Sequence, residues 1–175
     1  MKLVAIAIIS ALVCLTLPLK AYAKNEKAGA VLFPAYSFFV NLNSHNYKNA
    51  WSFLTKSSHI AIINEIENSF AKNNIKNISG QKISNSMKNG GFISKSYWRG
   101  FLKSFNPKMV IKYSVWTIKS IGAKTAQIEI NYKYGKAPTF LKMYKEDGKW
   151  KFGLYETFYG RMIMGKIVKG VISKF

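Results

Sequence analysis

The feature that most restricts the fold of this chain is a change of hydrophobic period near residue 108. Between residues 124 and 134, Ala126, Ile128 and Ile130 alternate with polar residues, and this period of two predicts a half-buried β-strand. Asp147-Gly148 predicts a tight hairpin turn, because both residue types tolerate left-handed backbone. We therefore expect an antiparallel meander of four strands, at 108–118, 124–134, 138–146 and 149–158.

The residues before this change carry helical patterns. Residues 28–43 are apolar on nearly every side, which predicts a buried helix. Shorter repeats predict helices at 47–55, 59–72 and 92–105. In the helix at 59–72 we expect a cap from Ser57 or Ser58 and an inner face of Ile60, Ile63, Ile66 and Phe70. Residues 73–91 are rich in Asn, Lys, Ser and Gly, so we expect a loop there, with at most one helical turn near Ile83. The predicted fold class is α+β.

The N-terminus has the pattern of an export signal. Lys2 is followed by an apolar run over residues 3–17, and Ala21-Tyr22-Ala23 places small residues where a signal peptidase reads them. We predict a signal peptide over residues 1–23, cut between Ala23 and Lys24, and a periplasmic or secreted protein. An uncut N-terminal anchor is the alternative.

The charge of the chain is strongly positive. Without Lys2 and Lys20, 25 of the 27 basic residues remain against seven acidic ones, so residues 24–175 carry a net charge of +18. Residues 68–128 contain eleven Lys or Arg and no acid. Such a charge attracts polyanions, but nucleic acid fits badly with export. An anionic membrane surface remains as an expected partner, and a merely solvated basic surface is the alternative. Residues 24–175 contain no cysteine, which excludes disulfides and thiolate metal sites there.

The last segment, residues 159–175, predicts an amphipathic helix. Ile163, Ile167, Val171 and Phe175 share an apolar face, and Lys166 and Lys169 lie on the other. Gly165 and Gly170 weaken this helix by about 1 kcal/mol each. We therefore expect it to need a surface: the body of the protein, a second subunit or a membrane.

Two stretches resemble the nuclear transport factor 2-like superfamily. "AYSFFVNLNSHNYKNAWSFLT" is similar to the opening helices of that family, and "AQIEINYKY…FLKMYKEDGKWKF" is similar to its final hairpins. The likeness covers residues 28–158, so we expect one such domain at 24–158. Periplasmic phospholipid carriers show a more distant similarity. The resemblance implies a cone-shaped fold, with the N-terminal helices packed in the concavity of a curved sheet and a pocket at the open end.

The resemblance also implies which residues line that pocket. They lie on the first helix and on the concave faces of the strands: Tyr36, Phe39, Tyr113, Tyr132, Trp150, Phe152, Leu154 and Glu156. Core packing is the alternative for the aromatic residues. For Glu156, which alternation places on the apolar face, we favour a structural partner (a lysine, Arg99, or the hydroxyl of Tyr113 or Tyr132) over contact with a ligand.

Nothing in the sequence predicts catalysis. His45 falls in a turn and His59 at a helix start, and neither has a spacing that suggests a metal site with Glu156. We therefore expect no cofactor and a non-enzymatic protein of the cell envelope that binds a lipid or another amphipathic molecule. The alternatives are a structural or interaction subunit with a filled cone, which could form a homodimer through the outer sheet face, and a small hydrolase or isomerase that uses Glu156.

Overall fold

A computed structural model describes residues 26–133, 135 and 137–158. The fold is α+β, as predicted, with most helices before the sheet. The first helix, α1, occupies 26–43 of this part of the chain. The other elements follow in the order α2 (Tyr47–Ser52), α3 (Lys56–Lys72), α4 (Gly80–Asn89), α5 (Phe92–Ser104), α6 (Pro107–Lys112), β1 (Ser114–Ile121), β2 (Thr125–Tyr132), β3 (Thr139–Glu146), β4 (Lys149–Gly153) and α7 (Leu154–Phe158).

The sheet is the predicted meander. Its strands lie in the order β1-β2-β3-β4, and each neighbouring pair is antiparallel. Asp147 and Gly148 have φ values of 50° and 78°, which confirms the predicted left-handed hairpin turn between β3 and β4. One face carries the buried residues Ala126, Ile128, Ile130, Leu141, Met143 and Phe152. The opposite face of the sheet is largely exposed.

The helix α1 fills the space against the buried face of the sheet. Phe38 and Phe39 are fully buried, and their rings lie 5.2 and 5.6 Å from that of Phe152 on β4. The Phe38 ring also contacts Trp98 of α5, at 5.8 Å. These contacts join the helices and the sheet into one aromatic core. The predicted burial of this helix holds for one face only, because Phe33, Tyr36 and Val40 on its other side are exposed.

The β4 edge of the sheet is closed by the segment that follows α2. The amide N–H of Phe152 donates to the Phe53 carbonyl at 2.8 Å, and the Thr55 N–H donates to the Phe152 carbonyl at 3.1 Å. Leu54 forms a parallel bridge with Phe152 and is itself buried. The helix α3 begins immediately after this segment, so the backbone pairing fixes its N-terminus beside β4.

The expectation of a loop at 73–91 is wrong, because α4 occupies Gly80–Asn89. The Ser79 side chain caps its first turn, and Gly90 ends it with a left-handed backbone. Ile83 and Met87, one turn apart, are its buried residues. Two apolar positions are enough here because α4 packs on α2, α3 and α5, so tertiary contacts stabilise a polar sequence.

The expected strand at 108–118, with Met109, Ile111, Tyr113 and Val115 on one face, is also wrong in extent and in phase. Asn106 caps a short helix with Pro107 at its start, so the strand begins only at Ser114. Trp116 and Ile118 then pack against the core, whereas Val115 and Met109 are exposed. A helical turn before the strand shifts the alternation by one residue.

Two further boundaries differ from the predictions. The helix α3 begins at Lys56 with Thr55 as its cap, and Ile62, not Ile60, lies in its buried stripe with Ile66 and Phe70. The fourth strand ends at Gly153, and residues 154–158 are helical. The two elements meet, because the hydroxyls of Thr55 and Ser58 bind Glu156 of α7.

The predicted signal peptide and the predicted C-terminal amphipathic helix at 159–175 lie outside the described residues. Within 26–133, 135 and 137–158, no helix combines the length and the apolar character needed to cross a membrane.

Candidate functional site

The centre of the predicted pocket is filled. Phe39, Phe152 and Leu154 are fully buried, and they belong to the aromatic core between α1 and the sheet. The alternative of core packing is therefore correct for these three residues. Their apolar side chains pack in the core instead of lining a pocket.

Tyr113 and Tyr132 lie apart from that core. Tyr113 follows the last residue of α6 and is 40% exposed, so it does not point inward from a strand as predicted. Tyr132 is half-buried at the end of β2, opposite Ser114. The Lys133 N–H donates to the Tyr113 carbonyl at 2.8 Å, which closes this end of the β1–β2 pair.

Glu156 lies on α7 and not on a strand, and its partners are two hydroxyl groups of the α3 N-terminus. The Thr55 hydroxyl donates to its Oε1 at 3.0 Å, and the Ser58 hydroxyl donates to its Oε2 at 2.7 Å. Ser58 Oγ in turn accepts the Tyr155 N–H at 3.1 Å. Both carboxylate oxygens are thus hydrogen-bonded. The partners expected from sequence, lysines, Arg99, Tyr113 and Tyr132, are wrong.

A glycine makes this approach of the carboxylate feasible. A Cβ atom on Gly153 would lie 3.0 Å from Glu156 Oε2 and 2.8 Å from the Tyr144 ring, both closer than side chains tolerate. The nearby hairpin adds a second acid to the same helix end, because the Glu146 carboxylate accepts the Lys56 N–H at 3.0 and 3.1 Å. The helix N-terminus carries a partial positive charge that both carboxylates complement.

An open cleft lies at the end of the sheet that carries the β1–β2 and β3–β4 turns. It has a volume of about 950 Å³ and lies between the start of α1, the β1–β2 turn and the inner face of the β3–β4 hairpin. Ala28, Ile118, Ile121 and Trp150 supply its apolar lining, and Lys27, Lys119 and Lys145 supply charge. Trp150 is the residue of the predicted pocket that does line a cavity here.

Two of these lysines are without an acidic partner among the described residues. Lys119 pairs with Glu129 at 2.6 Å, whereas no carboxylate within residues 26–133 or 137–158 forms an ion pair with Lys27 or Lys145. Lys145 lies on the same face of β3 as the buried residues Leu141 and Met143. The alternation in the sequence is therefore the signal that places Lys145 on the side of the sheet that faces α1. The cleft therefore joins an apolar lining to uncompensated positive charge.

A second cavity, of about 440 Å³, continues along the same side of α1. Leu32, Tyr36, Ile111 and Trp116 are among its lining residues. The Tyr36 and Trp116 rings meet edge to face at 5.7 Å. Tyr36, predicted from sequence as a pocket residue, thus lines a groove on the outside of the core rather than the interior of a cone.

Glu65 and His59 of α3 have shifted pKa values and lie away from both cavities. Burial raises the pKa of Glu65 to about 7, and the Glu65 charge adds to the burial that raises the pKa of Tyr97 well above its ordinary value. Burial lowers the pKa of His59. The His59 ring stacks on Trp51 at 4.0 Å and donates through Nε2 to the Trp51 carbonyl at 2.8 Å, so it is a structural group.

The part of the chain that the structure describes holds no cluster of three or more His, Cys, Asp or Glu side chains suited to a metal ion. Comparison with protein-family models, with curated proteins and with solved structures finds no match to this chain.

Proposed function

We propose that this protein is an exported, non-enzymatic binding protein of the cell envelope, and that it holds an anionic amphipathic molecule in the cleft between α1 and the β1–β2 turn. The observation that carries the proposal is the combination of an apolar lining, with Ile118, Ile121 and Trp150, and the unpaired charges of Lys27 and Lys145. Binding sites of this kind pair an apolar wall with a few charged groups that orient the ligand.

The size and charge of the cleft fit this ligand class. Its volume of about 950 Å³ lies near the upper end of the range for small-molecule sites, roughly 300–1,000 Å³. A carboxylate or phosphate placed between two lysine ammonium groups forms charge-assisted hydrogen bonds, which are stronger than neutral ones. The apolar part of the same molecule would cover the indole of Trp150. Export is the part of the proposal that depends on the predicted signal peptide.

The position of Glu156 supports the non-enzymatic proposal. Both of its oxygens accept hydroxyl protons from the α3 N-terminus, and Glu156 is not among the residues that line the cleft. A reaction that used this carboxylate would first have to break the contacts that hold α7. The relationship to the nuclear transport factor 2-like superfamily remains part of the proposal, and the order of helices and antiparallel strands is compatible with it.

The proposal is tested with laurate, an anionic amphiphile, by titration calorimetry on the full chain. We expect wild-type protein to bind it and the double variant Lys27→Ala/Lys145→Ala to bind about tenfold more weakly. The control is Lys103→Ala/Lys142→Ala, which removes the same charge from two exposed positions and should leave affinity unchanged. Equal affinity of the two double variants, or no binding by wild-type protein, would overturn the proposal.

A second function has one specific observation in its favour. The core around Phe39 and Phe152 is solid, which is what an interaction subunit with a filled cone requires. Native mass spectrometry of the purified protein separates the two proposals: a monomer with a co-purified lipid supports the binding protein, and a ligand-free homodimer supports the interaction subunit.

A further inference from the structure

The cleft and the second cavity follow one another along a single seam between α1 and β1. Ala28 and Ile118 line the cleft, whereas Gly29 and Trp116 line the groove. Ala28 and Gly29 are adjacent on the helix, and Trp116 and Ile118 are successive inward positions on the strand. The groove therefore begins where the cleft ends, and it leads away from the lysines.

The length of this seam is set by its two walls. From Ala28 to Tyr36 the helix advances about 12 Å, at 1.5 Å per residue. From Ile118 to Ser114 the strand covers about 13 Å, at roughly 3.3 Å per residue. Half of a bilayer's hydrocarbon core is about 15 Å thick and corresponds to one acyl chain. The seam thus has the length of a single chain.

The chemistry of the groove suits a hydrocarbon. Leu32, Ile111 and the ring of Trp116 form its walls. The Ser114 hydroxyl, a polar group among the lining residues, already donates to the Val110 carbonyl and accepts from the Trp116 indole N–H. An apolar chain in the groove would consequently leave neither Ser114 nor Trp116 without its hydrogen bond.

We infer that the groove holds the tail of a one-chain anionic amphiphile whose head lies between Lys27 and Lys145. The inference rests on the proposed function and names the ligand class: a fatty acid or a single-chain phospholipid, not a diacyl lipid. One seam between one helix and one strand provides space for one chain.

The first test varies the ligand. Across octanoate, laurate and palmitate we expect affinity to rise by about fourfold per methylene until the seam is full, and then to level off. Dodecanol, which has no charge, should bind much more weakly than laurate, and dodecyl phosphate should bind as well as laurate. A diacyl phosphatidylglycerol that binds more tightly than its single-chain counterpart would overturn the inference.

The second test blocks the groove. A Cβ on Gly29 would meet nothing within 4 Å, so Gly29→Phe extends a ring into the open seam, and Gly29→Ala is the matched control. We expect Gly29→Phe to lower laurate affinity to the octanoate level and to leave octanoate binding intact. Gly29→Ala should behave as wild type. Unchanged laurate affinity in Gly29→Phe would overturn the inference.

The outcomes separate this inference from the proposed function. If octanoate binding depends on Lys27 and Lys145 but chain length and Gly29→Phe have no effect, the cleft binds anions and the groove is not its tail site. If no amphiphile binds at all, both fail. If Gly29→Phe lowers only the melting temperature, another part of the protein fills the groove, and the inference fails while the proposed function stands.

Discussion

The two edges of the sheet are built in opposite ways. The β4 edge is sealed: Phe53 and Thr55 pair with Phe152 through the backbone, and the hydroxyls of Thr55 and Ser58 bind Glu156. Beside β1, the groove separates the strand from α1 and leads to the cleft at the turn end of the sheet, and the exposed rings of Phe33 and Tyr36 lie along the groove. At the β4 edge, polar groups hold neighbouring elements together. In the groove and the cleft, polar and apolar groups stay accessible to a ligand.

The distribution of acidic residues follows the same division. Five of the seven acids are on α3 or near its N-terminus: Glu65, Glu67, Glu146, Asp147 and Glu156. Few carboxylates are therefore left to neutralise lysines elsewhere. Glu146, Asp147 and Glu156 bind groups at the N-terminus of α3, whereas Lys27 and Lys145 form no ion pair with a described carboxylate.

The largest expected effect contrasts one aromatic residue from each edge. Phe152→Ala removes a fully buried ring of the β4 edge and should lower the free energy of unfolding by about 3–5 kcal/mol. Trp116→Ala removes a half-buried ring at the β1 edge and should cost about 1–2 kcal/mol. Urea unfolding monitored by circular dichroism measures both. Equal losses would mean that the open edge is as tightly packed as the closed one.

An intermediate effect is expected at Glu156. Glu156→Leu leaves the Ser58 hydroxyl without its acceptor, while the Thr55 hydroxyl turns to Ser58 Oγ at 2.8 Å, and we expect a loss of about 2–3 kcal/mol in the free energy of unfolding. Glu156→Gln keeps one acceptor oxygen and should lose about 1 kcal/mol. Laurate affinity should be unchanged in Glu156→Gln, because Glu156 does not line the cleft.

Glu26→Gln, at an exposed position at the start of α1, is the control for that substitution and should change stability far less. Wild-type stability of both Glu156 variants would contradict a structural role. Lost laurate binding in a stable Glu156→Gln protein would instead assign the carboxylate to the ligand.

The smallest effect concerns Glu65 and pH. Its pKa is raised to about 7 in the folded protein from an ordinary value of 4.5, so between these values the folded state binds more protons than the unfolded state. The free energy of unfolding should fall as pH rises through this window, by about 1–2 kcal/mol once solvent screening of this partly exposed group is considered.

Glu65→Gln should remove that slope. His59 has the opposite influence: its lowered pKa makes the folded state less stable as pH falls below about 6.5. The informative quantity is consequently the difference between the wild-type and Glu65→Gln unfolding curves, recorded by urea titration across the window. A difference that does not vary with pH would show that Glu65 is fully solvated.

Much of the fold could be predicted because the strongest patterns are local. The alternation in β2 and the Asp147-Gly148 turn identify the meander, and the apolar stretch of α1 identifies the buried helix. The loop predicted at 73–91 failed because Ile83 and Met87 are few among polar residues, although Ser79 and Gly90 are recognisable caps. These caps are the local signal that indicates α4.

The candidate site was harder to predict because its contacts are distant in sequence. Glu156 follows the alternation of β4, yet its position is set by Thr55 and Ser58, about a hundred residues earlier. Periodicity contains no information about such a partner. The resemblance implied Trp150 and Tyr36 as pocket residues. Lys27 and Lys145 line one cleft only because α1 and β3 come together in the fold.

The uneven placement of carboxylates also has a consequence for motion in solution. With its acids collected around α3 and none between residues 68 and 128, the protein has a permanent electric dipole in addition to its net charge. Near an anionic surface such a dipole experiences a torque that turns the side away from α3 toward that surface before contact. The torque acts over about one Debye length, roughly 8 Å at physiological ionic strength, so added salt would slow productive encounter without altering the folded structure.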